Sequence, residues 1–145
     1  METFSPQQME DRVEARHKVF LILWVALFVS VMLLLVLVLA AGSTGVPNPM
    51  LSYMLLGVGS TTVLVSFLLK QQLVQKAINN KNIAALQSAH IVAWALCESA
   101  ALMGVLNRFL TASSTSWFLF AIAALGILLH FPKKNDIRAV SYKQF

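Results

Sequence analysis

The chain has 145 residues, of which 58% are hydrophobic and 12% charged, and its formal net charge is +5. This balance excludes an ordinary soluble globular domain and is typical of a helical membrane protein. The 11 Lys and Arg residues are scattered among polar segments and form no basic motif, so no nucleic-acid partner is expected.

Hydropathy predicts an all-α fold, an integral membrane bundle of four transmembrane helices. Each apolar run is long enough, or nearly so, to cross a hydrocarbon core of ~30 Å. Strands are excluded because open sheets leave backbone polar groups unsatisfied in lipid. The predicted regions are a cytoplasmic segment at 1–18, a membrane domain at 19–132 with spans at about 19–41, 51–74, 84–110 and 116–132, and a cytoplasmic tail at 133–145.

Basic residues indicate how the predicted spans are oriented. They occur before the first span, in the link between the second and third spans, and in the tail, whereas the links at 42–50 and 111–116 have none. By the positive-inside rule, both termini and the middle link are cytoplasmic. We therefore expect a multi-pass integral membrane protein of a plasma membrane, the bacterial inner membrane, with the lipid bilayer as a partner.

The N-terminal segment and the first span come first along the chain. Pro6 is predicted to be the first residue of a helix, because proline is favoured at that position. Val13 and Phe20 are candidates to anchor that helix at the lipid headgroups, and a solvated lead-in is the alternative. The first span is nearly all Leu, Val and Phe, with Ser30 near its middle, and is predicted to face lipid.

The second and third spans are richer in small residues, which let helix backbones approach closely in lipid. The polar run Asn-Asn-Lys-Asn at 79–82 predicts a turn, so these two spans form a helical hairpin. The small and hydroxyl residues of the second span are Gly57, Gly59, Ser60, Thr61, Thr62 and Ser66.

Glu98 is the one carboxylate inside an apolar run of this sequence. An ionisable group at bilayer depth is costly, by about 2.5–3.5 kcal/mol on insertion scales, and is a functional-site hypothesis by default. His90 and Arg108 are about 12 and 15 Å away along the same helix, so any partner of Glu98 comes from another helix or another chain.

Hydroxyl groups are the expected neighbours of Glu98. Counting from the turn near Asn80 puts Thr61 and Thr62 at its depth, and Ser30 lies at a similar depth in the first span. With hydroxyls alone nearby, Glu98 is expected to be mostly protonated. We predict a site that exchanges a proton or binds Na⁺ with hydroxyl ligands, and a purely structural hydrogen bond is the alternative. Ser99 is a candidate second ligand, and a small packing residue is the alternative for it.

Spans two and three resemble the hairpin of the rotary ATP synthase c subunit, or proteolipid, over roughly residues 57–110. The Gly-Val-Gly run at 57–59 precedes a polar loop near Asn80, and a helix with a mid-membrane carboxylate follows. The resemblance implies that Glu98 is the ion-binding carboxylate and Ser99 the hydroxyl often beside it. Unlike the family, this chain has Asn-Asn-Lys-Asn in the loop and two further spans around the hairpin.

Three functions remain open at the level of sequence. The first is a proteolipid-like oligomer whose Glu98 binds H⁺ or Na⁺. The second is a small proton-coupled transporter acting as a dimer, and the third is a structural or accessory subunit of a larger membrane complex. An enzyme is not expected, because the sequence has no nucleophile with a paired base, no metal-ligand cluster, no cofactor motif and no phosphate loop.

Overall fold

A computed structural model describes residues 6–42 and 44–142 of the chain. The first residues of the predicted N-terminal segment, residue 43 and the last three residues of the predicted tail lie outside the described residues. All regular structure in the described part is helical, as the sequence predicts. The helices are α1 (Pro6–Ala41), α2 (Pro49–Asn79), α3 (Ile83–Thr111), α4 (Ser116–Leu129) and α5 (Lys134–Tyr142).

Three of these helices, α1 to α3, are long and apolar enough to cross a membrane, which suggests a membrane protein. The predicted span at 116–132 is shorter in the structure, since α4 has 14 residues and is about 21 Å long. Pro132 follows, and because proline lacks an N–H the helix does not continue through it. The axis of α5 is bent by 45° from that of α4, so a fourth crossing exists if the bent pair is one span.

Asparagine side chains cap the N-termini of α2 and α3. The side chain of Asn48 accepts a hydrogen bond from the backbone N–H of Leu51 at 3.1 Å, and that of Asn82 accepts one from Ala85 at 3.0 Å. Each bond satisfies one of the free N–H groups of a first helical turn. Because α2 ends at Asn79 and α3 begins at Ile83, the predicted hairpin turn is confirmed.

The lateral order of the helices decides which side chains can meet. Helices α3 and α4 pack against each other and each contacts both α1 and α2. Among the described residues, α1 and α2 do not contact each other. The pair α3–α4 therefore forms the centre of the bundle, with α1 and α2 on opposite sides.

Glycines allow the close packing of this centre. A Cβ atom added to Gly126 of α4 would lie 2.8 Å from Sγ of Cys97 and 3.1 Å from Cγ1 of Val63. Gly59 of α2 likewise lies against Ala100 of α3. Val63 and Cys97 thus both border Gly126, and Gly59 borders Ala100, within one residue of the register expected from counting outward from the turn.

Helix α5 closes one end of the bundle, which we call the terminal end: the start of α1, the turn between α2 and α3, and α5 meet there. Val13 and Phe20 of α1 are 1% and 3% exposed and belong to one cluster with Ile137 and Val140 of α5. They therefore contact protein, and neither the headgroup anchor nor the solvated lead-in describes them. The apolar pair three residues apart in α5 was the available signal for this packing.

Candidate functional site

The carboxyl group of Glu98 meets the hydroxyl group of Ser30 between α3 and α1. Oγ of Ser30 donates a hydrogen bond to Oε1 of Glu98 at 2.5 Å. Glu98 and Ser30 are both half-buried, so the pair lies at the edge of the bundle. The expectation that the partner of Glu98 belongs to another helix is confirmed, and the partner is a hydroxyl group.

No cation neutralises Glu98 among the described residues, where its carboxylate has no Lys, Arg or His nitrogen within 4.0 Å. Ser30 is its single hydrogen-bond partner within the same residues. A carboxylate has about four lone-pair positions, so one hydrogen bond leaves most of its capacity unused. The group is therefore chemically able to take up a proton or a small cation.

The other three predicted hydroxyl ligands bond to their own helices. Oγ1 of Thr61 donates to the carbonyl oxygen of Gly57 at 2.7 Å, and Oγ1 of Thr62 donates to that of Gly59 at 2.8 Å. Oγ of Ser99 donates to the carbonyl oxygen of Leu96, also at 2.7 Å.

The arrangement of the helices explains why the threonines do not reach Glu98. Successive residues of a helix are turned by about 100°, so Cys97 faces the centre while Glu98 is turned toward α1. The threonines are on α2, on the opposite side of the centre. They share the depth of Glu98 but not its side of α3. A role for Thr61, Thr62 or Ser99 as an ion ligand stays a prediction.

Replacing Ser30 tests whether its oxygen belongs to an ion site. A hydrophobic carbodiimide modifies protonated carboxyl groups in membranes, and Na⁺ bound to Glu98 would protect it from this reagent. In Ser30→Ala, the Na⁺ concentration needed for protection is expected to rise by about tenfold, in line with the loss of a supporting group at metal sites. Protection is measured by mass spectrometry of the labelled protein in lipid.

The matched control is Ser88→Ala, because Oγ of Ser88 is exposed and donates to Ala84 of its own helix. Ser99→Ala is run beside it to test the predicted ligand. Unchanged protection in Ser30→Ala would remove Ser30 from the site.

A second polar cluster lies inside the terminal end of the bundle. Oγ of Ser66 lies 3.2 Å from Nε2 of His130 and 3.5 Å from Sγ of Cys97, and all three side chains are fully buried. The carbonyl oxygen of His130 accepts hydrogen bonds from Nε1 of Trp94 at 3.1 Å and from Nζ of Lys70 at 3.3 Å. These bonds connect α2, α3 and the bend after α4.

His90 completes this cluster. Its Nδ1 lies 3.0 Å from the carbonyl oxygen of Leu86, and its Nε2 lies 4.0 Å from Oδ2 of Asp136. Nε2 of His90 and Nδ1 of His130 are buried and have no hydrogen-bond partner among the described residues. Buried nitrogen atoms without a hydrogen-bond partner are rare in folded proteins, so this cluster is a second candidate functional region.

Sequence reasoning did not predict that these groups meet. The available signal was that Ser66 and Lys70 are four residues apart and so share one face of α2. The bend that brings His130 to that face depends on the packing of α4 and α5. Cys97 is buried between Gly126 and Ser66, as expected for a small packing residue.

Comparisons with known proteins add no relative. No model of a known protein family matches the chain, and neither a curated protein nor a solved structure gives a significant match. The resemblance to the proteolipid hairpin therefore rests on the residues of α2 and α3 alone.

Proposed function

We propose that this chain is a small membrane protein whose Glu98 is an exchangeable binding site for H⁺ or Na⁺. The observation that carries the proposal is the 2.5 Å hydrogen bond between Ser30 and Glu98, in a half-buried position with no cation beside it. A carboxyl group with one hydroxyl neighbour supplies oxygen atoms, which suit a hard cation or a proton. The proteolipid-like residues of the hairpin support the same chemistry.

For the topology, we propose four crossings with both termini in the cytoplasm, the last crossing ending near the bend after α4. The basic residues of the sequence support this orientation. Single cysteines at Asn80 and Ser114, introduced in a Cys97→Ala background, would test it in intact cells. An impermeant maleimide is expected to label Ser114→Cys and spare Asn80→Cys, and the reverse pattern would contradict the orientation.

We also propose that the chain works as a homo-oligomer or with other membrane subunits. Glu98 is partly exposed at the edge of a single chain, and lipid is an unfavourable neighbour for a carboxyl group. A second copy or another subunit would cover it. The mass of the complex extracted in mild detergent is expected to exceed that of one chain, and a monomer would contradict this part of the proposal.

Labelling with a hydrophobic carbodiimide tests the ion site. This reagent modifies protonated carboxyl groups buried in membranes. In purified protein in lipid, modification of Glu98 is expected to decline as pH rises, and Na⁺ protection would identify a Na⁺ site. Glu14, which is exposed and 3.3 Å from Lys18, serves as an internal reference for the same digest. No labelling of Glu98 at any pH, with the helices intact, would contradict an exchangeable site.

A structural role is the second candidate function, and the Ser30–Glu98 bond itself favours it because it joins α1 to α3. Interhelical hydrogen bonds in membranes contribute about 0.6 kcal/mol on average. The variant Glu98→Gln keeps a hydrogen-bonding side chain but removes ionisation. Unchanged assembly and unchanged cell physiology in this variant would favour the structural role over ion binding.

A further inference from the structure

A cavity of about 260 Å³ opens between the second half of α2 and the bend that joins α4 to α5. It exists because α4 stops at Leu129 and the chain turns at Pro132 before α5 begins. The cavity lies at the terminal end of the bundle, and it does not include Glu98.

Two lysines from different elements line this cavity. Lys70 comes from α2 and Lys133 from the bend. Nζ of Lys70 donates one hydrogen bond, to the carbonyl oxygen of His130. Because an ammonium group has three donors, two remain for a ligand. Lys133 is exposed and has no ion-pair partner among the described residues.

The remaining charges define which anion fits. Within the described part of the chain, Asp136 is the single carboxylate in the lining, and its Oδ2 lies 4.0 Å from Nε2 of His90. Two ammonium groups and one carboxylate leave the lining with one net positive charge when His130 is neutral. A phosphodiester, which carries one negative charge, balances this lining.

The apolar part of the lining adds a second requirement. Phe67 lies one turn before Lys70 and Gln71 on α2, on the side away from the terminal end. Val74 and Leu129 also line the cavity, and Leu129 is 70% exposed at the outside of the bundle. The cavity therefore combines two ammonium groups with apolar side chains, and it is open at the surface of the helices. An anionic phospholipid offers both kinds of group, a phosphate for the lysines and acyl chains for the apolar side chains.

We propose that this cavity binds a phosphate group through Lys70 and Lys133. The apolar side chains of the lining favour the phosphate of an anionic phospholipid, whose acyl chains lie against Phe67 and the exposed Leu129. The proposal is independent of ion binding at Glu98, because the two sites share no residue.

Native mass spectrometry of the full chain in detergent tests the proposal. The probes are phosphatidylglycerol, phosphatidylcholine with the same acyl chains, and inorganic phosphate. Preferential retention of phosphatidylglycerol is the expected result. If inorganic phosphate binds and phosphatidylglycerol has no advantage over phosphatidylcholine, the phosphate site is supported with a free ion as its source.

Charge variants give the decisive comparison. Lys133→Gln and Lys70→Gln are each expected to weaken phosphatidylglycerol binding by about fivefold, the effect of one basic side chain near an anionic lipid. Asp136→Asn is expected to tighten binding, because it removes the competing carboxylate. The control is Lys76→Gln, since Lys76 is exposed on the same helix and lies outside the cavity.

Lys133 makes no side-chain hydrogen bond among the described residues, so its variant tests binding even if Lys70→Gln perturbs the fold. Equal binding of both phospholipids together with no response to Lys133→Gln would overturn the proposal, as would equal weakening by Lys133→Gln and Lys76→Gln.

Discussion

Replacing Trp94 with Ala is expected to destabilise the bundle by about 3–5 kcal/mol, the cost of deleting a large buried side chain and leaving a cavity. Trp94 is the largest fully buried residue, and its indole N–H donates to the carbonyl oxygen of His130 at 3.1 Å. Its ring also contacts His90, with ring centroids 5.6 Å apart. Trp94→Phe keeps most of the volume and loses the N–H, so its expected cost is smaller, at about 1–3 kcal/mol.

The measurement is reversible unfolding of the full chain in mixed detergent micelles, followed by helix content. Trp117→Ala is the matched control, because Trp117 is 62% exposed at the start of α4 and its replacement is expected to change stability by about 0.5 kcal/mol or less. Similar losses at the two tryptophans would mean that burial in the bundle does not determine the cost.

Gly126→Ala is the second change with a large expected effect, a destabilisation of about 1–3 kcal/mol from overpacking. The new methyl group would lie 2.8 Å from Sγ of Cys97 and 3.1 Å from Cγ1 of Val63. Neither neighbour has a long side chain that can move aside, so helix α4 must shift. The loss is measured in the same unfolding experiment.

Two further variants isolate the contact that causes this loss. In the double variant Gly126→Ala with Cys97→Ala, the sulfur nearest to the new methyl group is absent, and the double-mutant cycle is expected to show favourable coupling. Gly57→Ala is the control, since nothing lies within 4 Å of a Cβ at Gly57. Removing a helical glycine there is expected to be neutral or to stabilise by up to about 1 kcal/mol. Strict additivity in the cycle would contradict the proposed clash.

Trp94→Ala and Gly126→Ala are also expected to affect the candidate ion site, because both change the packing that sets the rotation of α3 about its axis. Cys97 is held against Gly126, and the next residue along the helix therefore points toward α1 and Ser30. A shift of α4 that rotates α3 would move Glu98 away from Ser30. Carbodiimide protection in Gly126→Ala thus reports on the geometry of the site as well as on stability.

Much of this architecture follows from the sequence by itself. Long apolar runs with few charges predict helices, since lipid leaves no other partner for the backbone. The polar run at 79–82 predicts the hairpin turn, and counting from it places Val63 opposite Cys97. The depth of Glu98 and its need for a partner on another helix follow from the rise per residue. These are local properties, each readable from a short stretch of chain.

The tertiary structure decided which groups meet. The sequence places Ser30 and Thr62 at a similar depth in the membrane to that of Glu98. Of these two, Ser30 forms the hydrogen bond with Glu98, because α1 and α2 lie on opposite sides of α3–α4. That order depends on close contacts summed over several helices, such as Gly126 against Cys97, which no single segment encodes. The same holds for the bend after α4, where packing of α5 on α1 brings Lys133 to the cavity that Lys70 lines.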